Sequence, residues 1–162
     1  SIYHHFGSKE GIVAYLYLSA LNDQSLAMQG FLEEALSAEE GVKGLVEAYV
    51  DWVVDNPDLA RLLYTVRRVV NTSEAANQLK AINSERYRAL GAWLKRQVKQ
   101  QQLRVLPKEV YPSLLFGPVE SHCRAWLSGR VSTPPSEVKV VLADSVWRSV
   151  GLIDKAQADT AG

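Results

Sequence analysis

Cysteine is almost missing from this chain. Cys123 is the only one in 162 residues, which excludes an internal disulfide framework and a Cys-rich zinc site, and fits a reducing compartment. Histidine is scarce as well. His4 and His5 are adjacent and diverge by about 100° on a helix, as do His122 and Cys123, so neither pair chelates one ion; no His-x-x-x-His or Glu-x-x-His set joins them. No metal and no cofactor is expected. Excess charge of one sign is absent too: 18 Lys+Arg balance 18 Asp+Glu, which argues against a polybasic coat for nucleic acid or membrane. No apolar run approaches the roughly 20 residues of a membrane span, and no basic-then-apolar leader is visible. A cytoplasmic location is expected, with no membrane partner.

Catalytic signatures are equally thin. Cys123 lacks a base that faces it, since His122 points elsewhere on a helix. Gly41 and Gly44 sit at a helix start without the Lys-Ser/Thr of a phosphate loop. The reading is not an enzyme. Period-two alternation is missing over any useful length, which excludes a sheet and leaves an all-α class. The 47% hydrophobic content suffices for one substantial core.

What is present is helical periodicity with short punctuation. Ser8 as N-cap and the apolar series Ile12, Val13, Leu16, Leu18 and Leu21 predict a helix over 8–29. Val42, Leu45, Val46, Tyr49, Val50 and Val53 predict a second over 39–55. Asn56-Pro57 reads as an N-cap with proline at N1, opening a helix that ends near Val70. Ser73 caps a fourth that reaches about Gln101 through Leu79, Ile82, Tyr87, Leu90, Trp93 and Val98. Pro107 starts a fifth that stops near Gly129, with Pro118 inside it as a kink. The last runs over 134–153, and the tail over 157–162 reads as frayed.

Charge is unevenly placed. Residues 1–40 hold one base and six acids, whereas residues 71–104 hold seven bases and two acids. The basic stretch reads as a solvated helix face. On the last helix, apolar residues occupy all but a narrow arc formed by Glu137, Asp144 and Arg148. A terminal helix buries one face in its own subunit, so the remaining face is expected to meet a second copy across a two-fold axis. Val138, Val141, Leu142, Ser145, Val146 and Ser149 are the expected interface residues.

The opening run Ser1-Ile2-Tyr3-His4-His5-Phe6-Gly7-Ser8-Lys9-Glu10 ends one helix, turns at glycine and starts another. It resembles the signature of the TetR (tetracycline repressor-like) family of bacterial regulators, in which a recognition helix ends in Tyr-x-His-Phe before a Ser-Lys-Glu helix start. The six-helix layout, the Gly117-Pro118 step and the Trp126-Leu127-x-Gly129-Arg130 ending resemble the family's regulatory domain. The resemblance implies that residues 1–7 are the end of a helix-turn-helix DNA-binding domain and residues 8–162 a bundle for ligand binding and dimerisation. It implies DNA contacts from Ser1, Tyr3, His5 and Lys9, with His4 at a variable place, and Phe6 as a plug between domains. Hydroxyl, imidazole and ammonium groups donate to phosphate, which positions a protein without specifying sequence. Two further helices and the start of the recognition helix would lie upstream of Ser1, so the chain is expected to be a piece of a longer protein.

The resemblance also implies a mostly apolar effector cavity. Tyr49, Trp52, Tyr64, Arg67, Tyr87, Trp93, Phe116, His122 and Trp126 are its candidate walls, set against ordinary core packing for each aromatic. The expected partners are a second copy, operator DNA and a small apolar or aromatic effector, with repression as the usual output. A dimeric helical interaction module without a ligand is the alternative, and an apolar void or a closed core separates the two.

Overall fold

The computed structural model describes residues 9–66 and 76–152. Among these the architecture is all-α: α1 (Lys9–Glu34), α2 (Ala38–Asp55), α3 (Pro57–Thr65), α4 (Ala76–Lys99), α5 (Val110–Leu127) and α6 (Pro135–Val150). Ser8, Ser73 and the expected frayed tail lie outside the described residues.

Helix α2 is the hub. Its residues Val42, Leu45, Val46, Tyr49, Val50 and Val53 are buried, as the period required, and so are Ala48 and Trp52 between them. A helix apolar around most of its circumference must be surrounded, and α2 packs on α1, α3, α5 and α6, most extensively on α6. Ser37 caps it, its hydroxyl oxygen accepting from the Glu40 N–H at 3.1 Å. Two glycines let neighbours approach its axis. A Cβ on Gly41 would lie 2.3 Å from the Trp93 ring, and one on Gly44 2.7 Å from the Phe31 ring.

The elements differ from the sequence expectation mainly at their ends. Helix α1 continues five residues past 29 and ends at Glu34, with Gly30 inside it. Asn56 precedes Pro57 as expected, yet makes no cap bond to α3; its amide donates back to the Trp52 carbonyl and closes α2 instead. Helix α5 starts at Val110, after a turn, so Pro107 stands just outside it rather than at its first position. It runs unbroken through Pro118 to Leu127. There Gly129, with φ of 76°, donates to the Trp126 carbonyl and Arg130 to the Ala125 carbonyl, so the Trp-Leu-x-Gly-Arg ending is a Schellman cap. Helix α4 closes the same way at Gln101, but with a non-glycine at φ of 58°.

The link between α4 and α5 is pinned to the end of α6. Arg104 N–H donates to the Val150 carbonyl and Leu152 N–H to the Gln102 carbonyl, around the Leu103–Gly151 bridge. The Tyr111 hydroxyl donates to the Arg104 carbonyl. Lys43 of α2 bridges Glu39 at 2.8 Å and Asp144 of α6 at 3.0 Å, and Lys139 of α6 reaches Asp51 of α2 at 2.9 Å. Both lysine pKa values are raised by these bonds to carboxylates. No helix among the described residues is long and apolar enough to cross a membrane.

Candidate functional site

Five helices leave a cleft of about 400 Å³ between them. Helix α1 contributes Tyr17, Leu21 and Gln24 at successive turns, so one stripe of a long helix forms one wall. From α2 and α3 come Tyr49, Leu63 and Tyr64. Helix α4 supplies Asn83, Arg86 and Tyr87, and α5 supplies Pro112, Ser113, Phe116, Gly117, Glu120 and Arg124. The four-residue series 112, 116, 120, 124 puts one face of α5 along the cleft, apolar at its N-terminal half and charged at its C-terminal half.

The polar groups are interlocked. Tyr49 and Tyr64 share a hydrogen bond of 2.5 Å between their hydroxyls. Burial raises the pKa of both phenols, Tyr49 further through its neighbour Tyr64, so both stay protonated. Arg124 donates through Nε to Glu120 at 3.0 Å and lies 4.5 Å over the Tyr64 ring. Gln24, which lines the cleft, and Ser25 beside it on α1 are the buried polar residues among those described, at 4% and 5% exposure. Arg86 lies over two rings, 5.6 Å from the Tyr87 centroid and 5.8 Å from that of Phe116.

A second concavity is larger, about 860 Å³, and lies on the outer side of α4 between Leu90, Leu94 and Val98 and the linker residues Val105 and Leu106. Its buried hydroxyl, that of Tyr111, is engaged by the Arg104 carbonyl, whereas the five-helix cleft brings several polar side chains together, and polar groups that fix orientation are what mark a ligand site. Tyr87 stands in the wall of both.

Of the expected cavity residues, the structure brings together Tyr49, Tyr64, Tyr87 and Phe116. It places four elsewhere, each for a local reason. The Trp52 indole N–H donates to Asp23 at 2.8 Å, which holds that ring in the α1–α2 seam. Trp93 is buried against Gly41. The His122 Nε2 is 3.0 Å from the Thr133 carbonyl, toward the α5–α6 turn. Trp126, half-buried, packs on the core near the end of α5 and is not in the cleft wall. Arg67 lies outside the described residues, as do Ser1, Tyr3, His4, His5 and Phe6. Lys9 is exposed at the first turn of α1.

The cleft residues the sequence reading passed over are Arg86, Glu120, Arg124, Asn83 and Gln24. Their signal was present: Glu120 and Arg124 continue the four-residue stripe that begins at Pro112 and Phe116, and Asn83 and Arg86 bracket one turn beside Tyr87. Charge on a helix reads as solvated, which conceals a charged residue that lines a cleft.

On α6 the expected interface residues divide. Val146 is fully buried at 0% exposure, with Ala143 and Val150, on the face turned to the core, and does not belong to an outer surface. It sits only two steps of the helical wheel from the outer strip, which is why the pattern alone merged them. Val141 is 65% exposed and Val140 64%. Ser145 is exposed, and Val138, Leu142 and Ser149 are half-buried. Among the described residues no group of His, Cys, Asp and Glu is arranged to hold a metal ion. Cys123 is fully buried, and burial pushes its thiol up to about 12.

No protein-family model and no curated protein matches the chain. Solved structures do. It is similar to a TetR family transcription regulator from Marinobacter aquaeolei, with a TM-score of 0.75 at 14% identity, over 94% of this chain and 78% of that one. It is similar to the TetR family transcriptional regulator PfmR from Thermus thermophilus, with a TM-score of 0.71 at 25% identity, over 91% of this chain and 79% of that one. A bacterial regulatory protein in the TetR family from Rhodococcus gives 0.72 at 18% identity, over 94% and 80%. The six helices of the described residues, in this order, are therefore the all-α fold of the TetR family transcription regulators.

Proposed function

We propose that the chain is the regulatory part of a DNA-binding transcription regulator, in which a small ligand bound in the five-helix cleft controls the grip of a dimer on operator DNA. The observation that carries this reading is the cleft itself: a void walled about equally by apolar surface and by converging polar groups, in a fold shared with TetR regulators. Residues 1–7 are then the end of a recognition helix. Ser1, Tyr3, His4, His5 and Lys9 reach the phosphate backbone, and the N–H groups at the start of α1 add an anion site.

The mechanism is a population shift. Helix α1 runs from the proposed DNA-binding end to Glu34 and lends Tyr17, Leu21 and Gln24 to the cleft. A ligand that binds one tilt of α1 better than another moves the recognition helices out of register with successive major grooves. Turning a 1:99 balance into 99:1 takes about 5.5 kcal/mol of differential binding. Release on ligand binding gives repression as the output, and the protein acts in the bacterial cytoplasm. Dimerisation uses the outer strip of α6, Val138, Val141, Leu142, Ser145 and Ser149.

The test is selection of bound duplexes from random-sequence DNA by the intact protein, helix-turn-helix included. A recovered sequence with two-fold symmetry and half-sites one helical turn apart, or a multiple of it, supports the reading. Recovery of no sequence above background contradicts it.

A further inference from the structure

The Arg86 guanidinium is set apart from the other arginines that touch carboxylates or aromatic rings. Arg61, Arg88 and Arg124 each hold a carboxylate, at 2.9, 2.8 and 3.0 Å. Arg86, half-buried in the cleft wall, has no ion pair or hydrogen bond among the described residues. What holds it is the pair of ring faces of Tyr87 and Phe116. Ring faces attract the charge, but they offer nothing to five N–H donors arranged as a fork. Among the described residues these donors are oriented and unused.

The rest of the cleft fixes where an anion can go. Glu120 neutralises Arg124 and repels a second carboxylate at that end. The phenols of Tyr49 and Tyr64 are neutral and bonded to each other. Among the described residues the wall therefore keeps one net positive charge, at Arg86, beside the apolar surfaces of Leu21, Leu63 and Phe116.

We propose that the cleft takes an amphiphilic anion, its carboxylate or phosphate bound bidentately by Arg86 and its apolar body laid against Leu21, Leu63 and Phe116. This rests on the cleft being the effector site, and names the class of effector. The guanidinium fork matches both oxyanions, so the two sources are separated by experiment. Anion binding also couples α4 to α1, since an apolar body anchored at Arg86 lies against Leu21.

The experiment is calorimetric titration of the intact protein with octanoate, octyl phosphate and the neutral octanamide, repeated on Arg86→Met and Arg86→Lys. At least one anion is expected to bind about tenfold or more tighter than octanamide, about 1.4 kcal/mol. Arg86→Met should bring that anion down to the octanamide level with an unchanged unfolding midpoint, and Arg86→Lys should retain part of the preference. If Arg86→Met does not fold, Arg86→Gln replaces it. Octanoate against octyl phosphate tells which head group the fork prefers. Equal binding of octanamide and the anions, an anion preference that survives in Arg86→Met, or no binding of either anion at millimolar concentration overturns the proposal. Octanamide binding that Phe116→Trp blocks, with no anion preference, would remove the anion and leave the effector site standing.

Discussion

The two sides of helix α2 are built differently. Toward α5 and α6 it meets a dry layer: Val42, Val46, Val50, Leu115, Val119, Cys123, Val146 and Val150 are fully buried, and none carries an oxygen or nitrogen in its side chain. Toward α1, α3 and α4, and along the 112–116–120–124 stripe of α5, it meets the cleft, where Tyr49, Tyr64, Gln24, Glu120, Arg86 and Arg124 stand among the apolar residues. One side uses its surface for packing, and its stability derives from area removed from water. The other keeps a void and a set of polar groups that packing alone would exclude. A bundle that needed only to fold would close both sides, so this difference is what the proposed ligand site rests on.

Matched truncations on the two sides can break that contrast. Leu115→Ala in the dry layer should cost about 2–5 kcal/mol, because a rigid surrounding leaves a cavity. Leu63→Ala at the cleft edge should cost less than half as much, since the lost surface already borders a void; urea unfolding of the two variants measures the difference. Equal costs would mean that the cleft side is packed as firmly as the other. Tyr64→Phe should come next, at about 1 kcal/mol, because the Tyr49 hydroxyl loses its partner at a site that water can reach.

The dry side also has a pH signature. The Cys123 thiol is held up to about 12 from the usual value of 9.0 by burial. A group with a raised folded pKa contributes stability fully below its unfolded pKa and loses it as pH rises toward the folded value. Stability should therefore be insensitive to Cys123 below about pH 8 and decline between pH 9 and 12. Unfolding midpoints of the wild type and Cys123→Ala across that window test it, and thiol labelling at about pH 9 should wait for unfolding. The smallest expected effect is at Gln101, whose φ of 58° suits glycine. Gln101→Gly should stabilise the α4 end by up to about 1 kcal/mol, read as a higher unfolding midpoint.

The same contrast explains what the sequence disclosed. The dry side was legible because its helices obey one rule, apolar residues at three- and four-residue steps, and α2 and the inner face of α6 follow it with few departures. Pro57, Pro135 and Gly129 marked ends because each acts locally. The cleft was legible only in part. Tyr49, Tyr64, Tyr87 and Phe116 carry the aromatic signal that was sought, but Trp52 and Trp93 carry the same signal and direct it to Asp23 and to the bare backbone of Gly41. Which ring faces a void depends on tertiary partners far away in sequence. Arg86, Glu120 and Arg124 look like solvated helix charge until five helices are brought around them. A helical wheel places Val146 with the outer strip because it orders residues around an axis without saying where the neighbouring helix stands.

Across the dry side lies the strip that joins this half of the molecule to a second copy in the proposed regulator. The most direct measurement is sedimentation equilibrium on the intact protein, wild type against Val141→Glu, with unfolding followed on both. The expected result is a wild-type dimer, a variant shifted to monomer at the same concentration, and unchanged helicity, since Val141 is exposed in the single chain. A wild type that stays monomeric at tens of micromolar would contradict it, because a single recognition helix cannot read the paired half-sites on which the regulator depends.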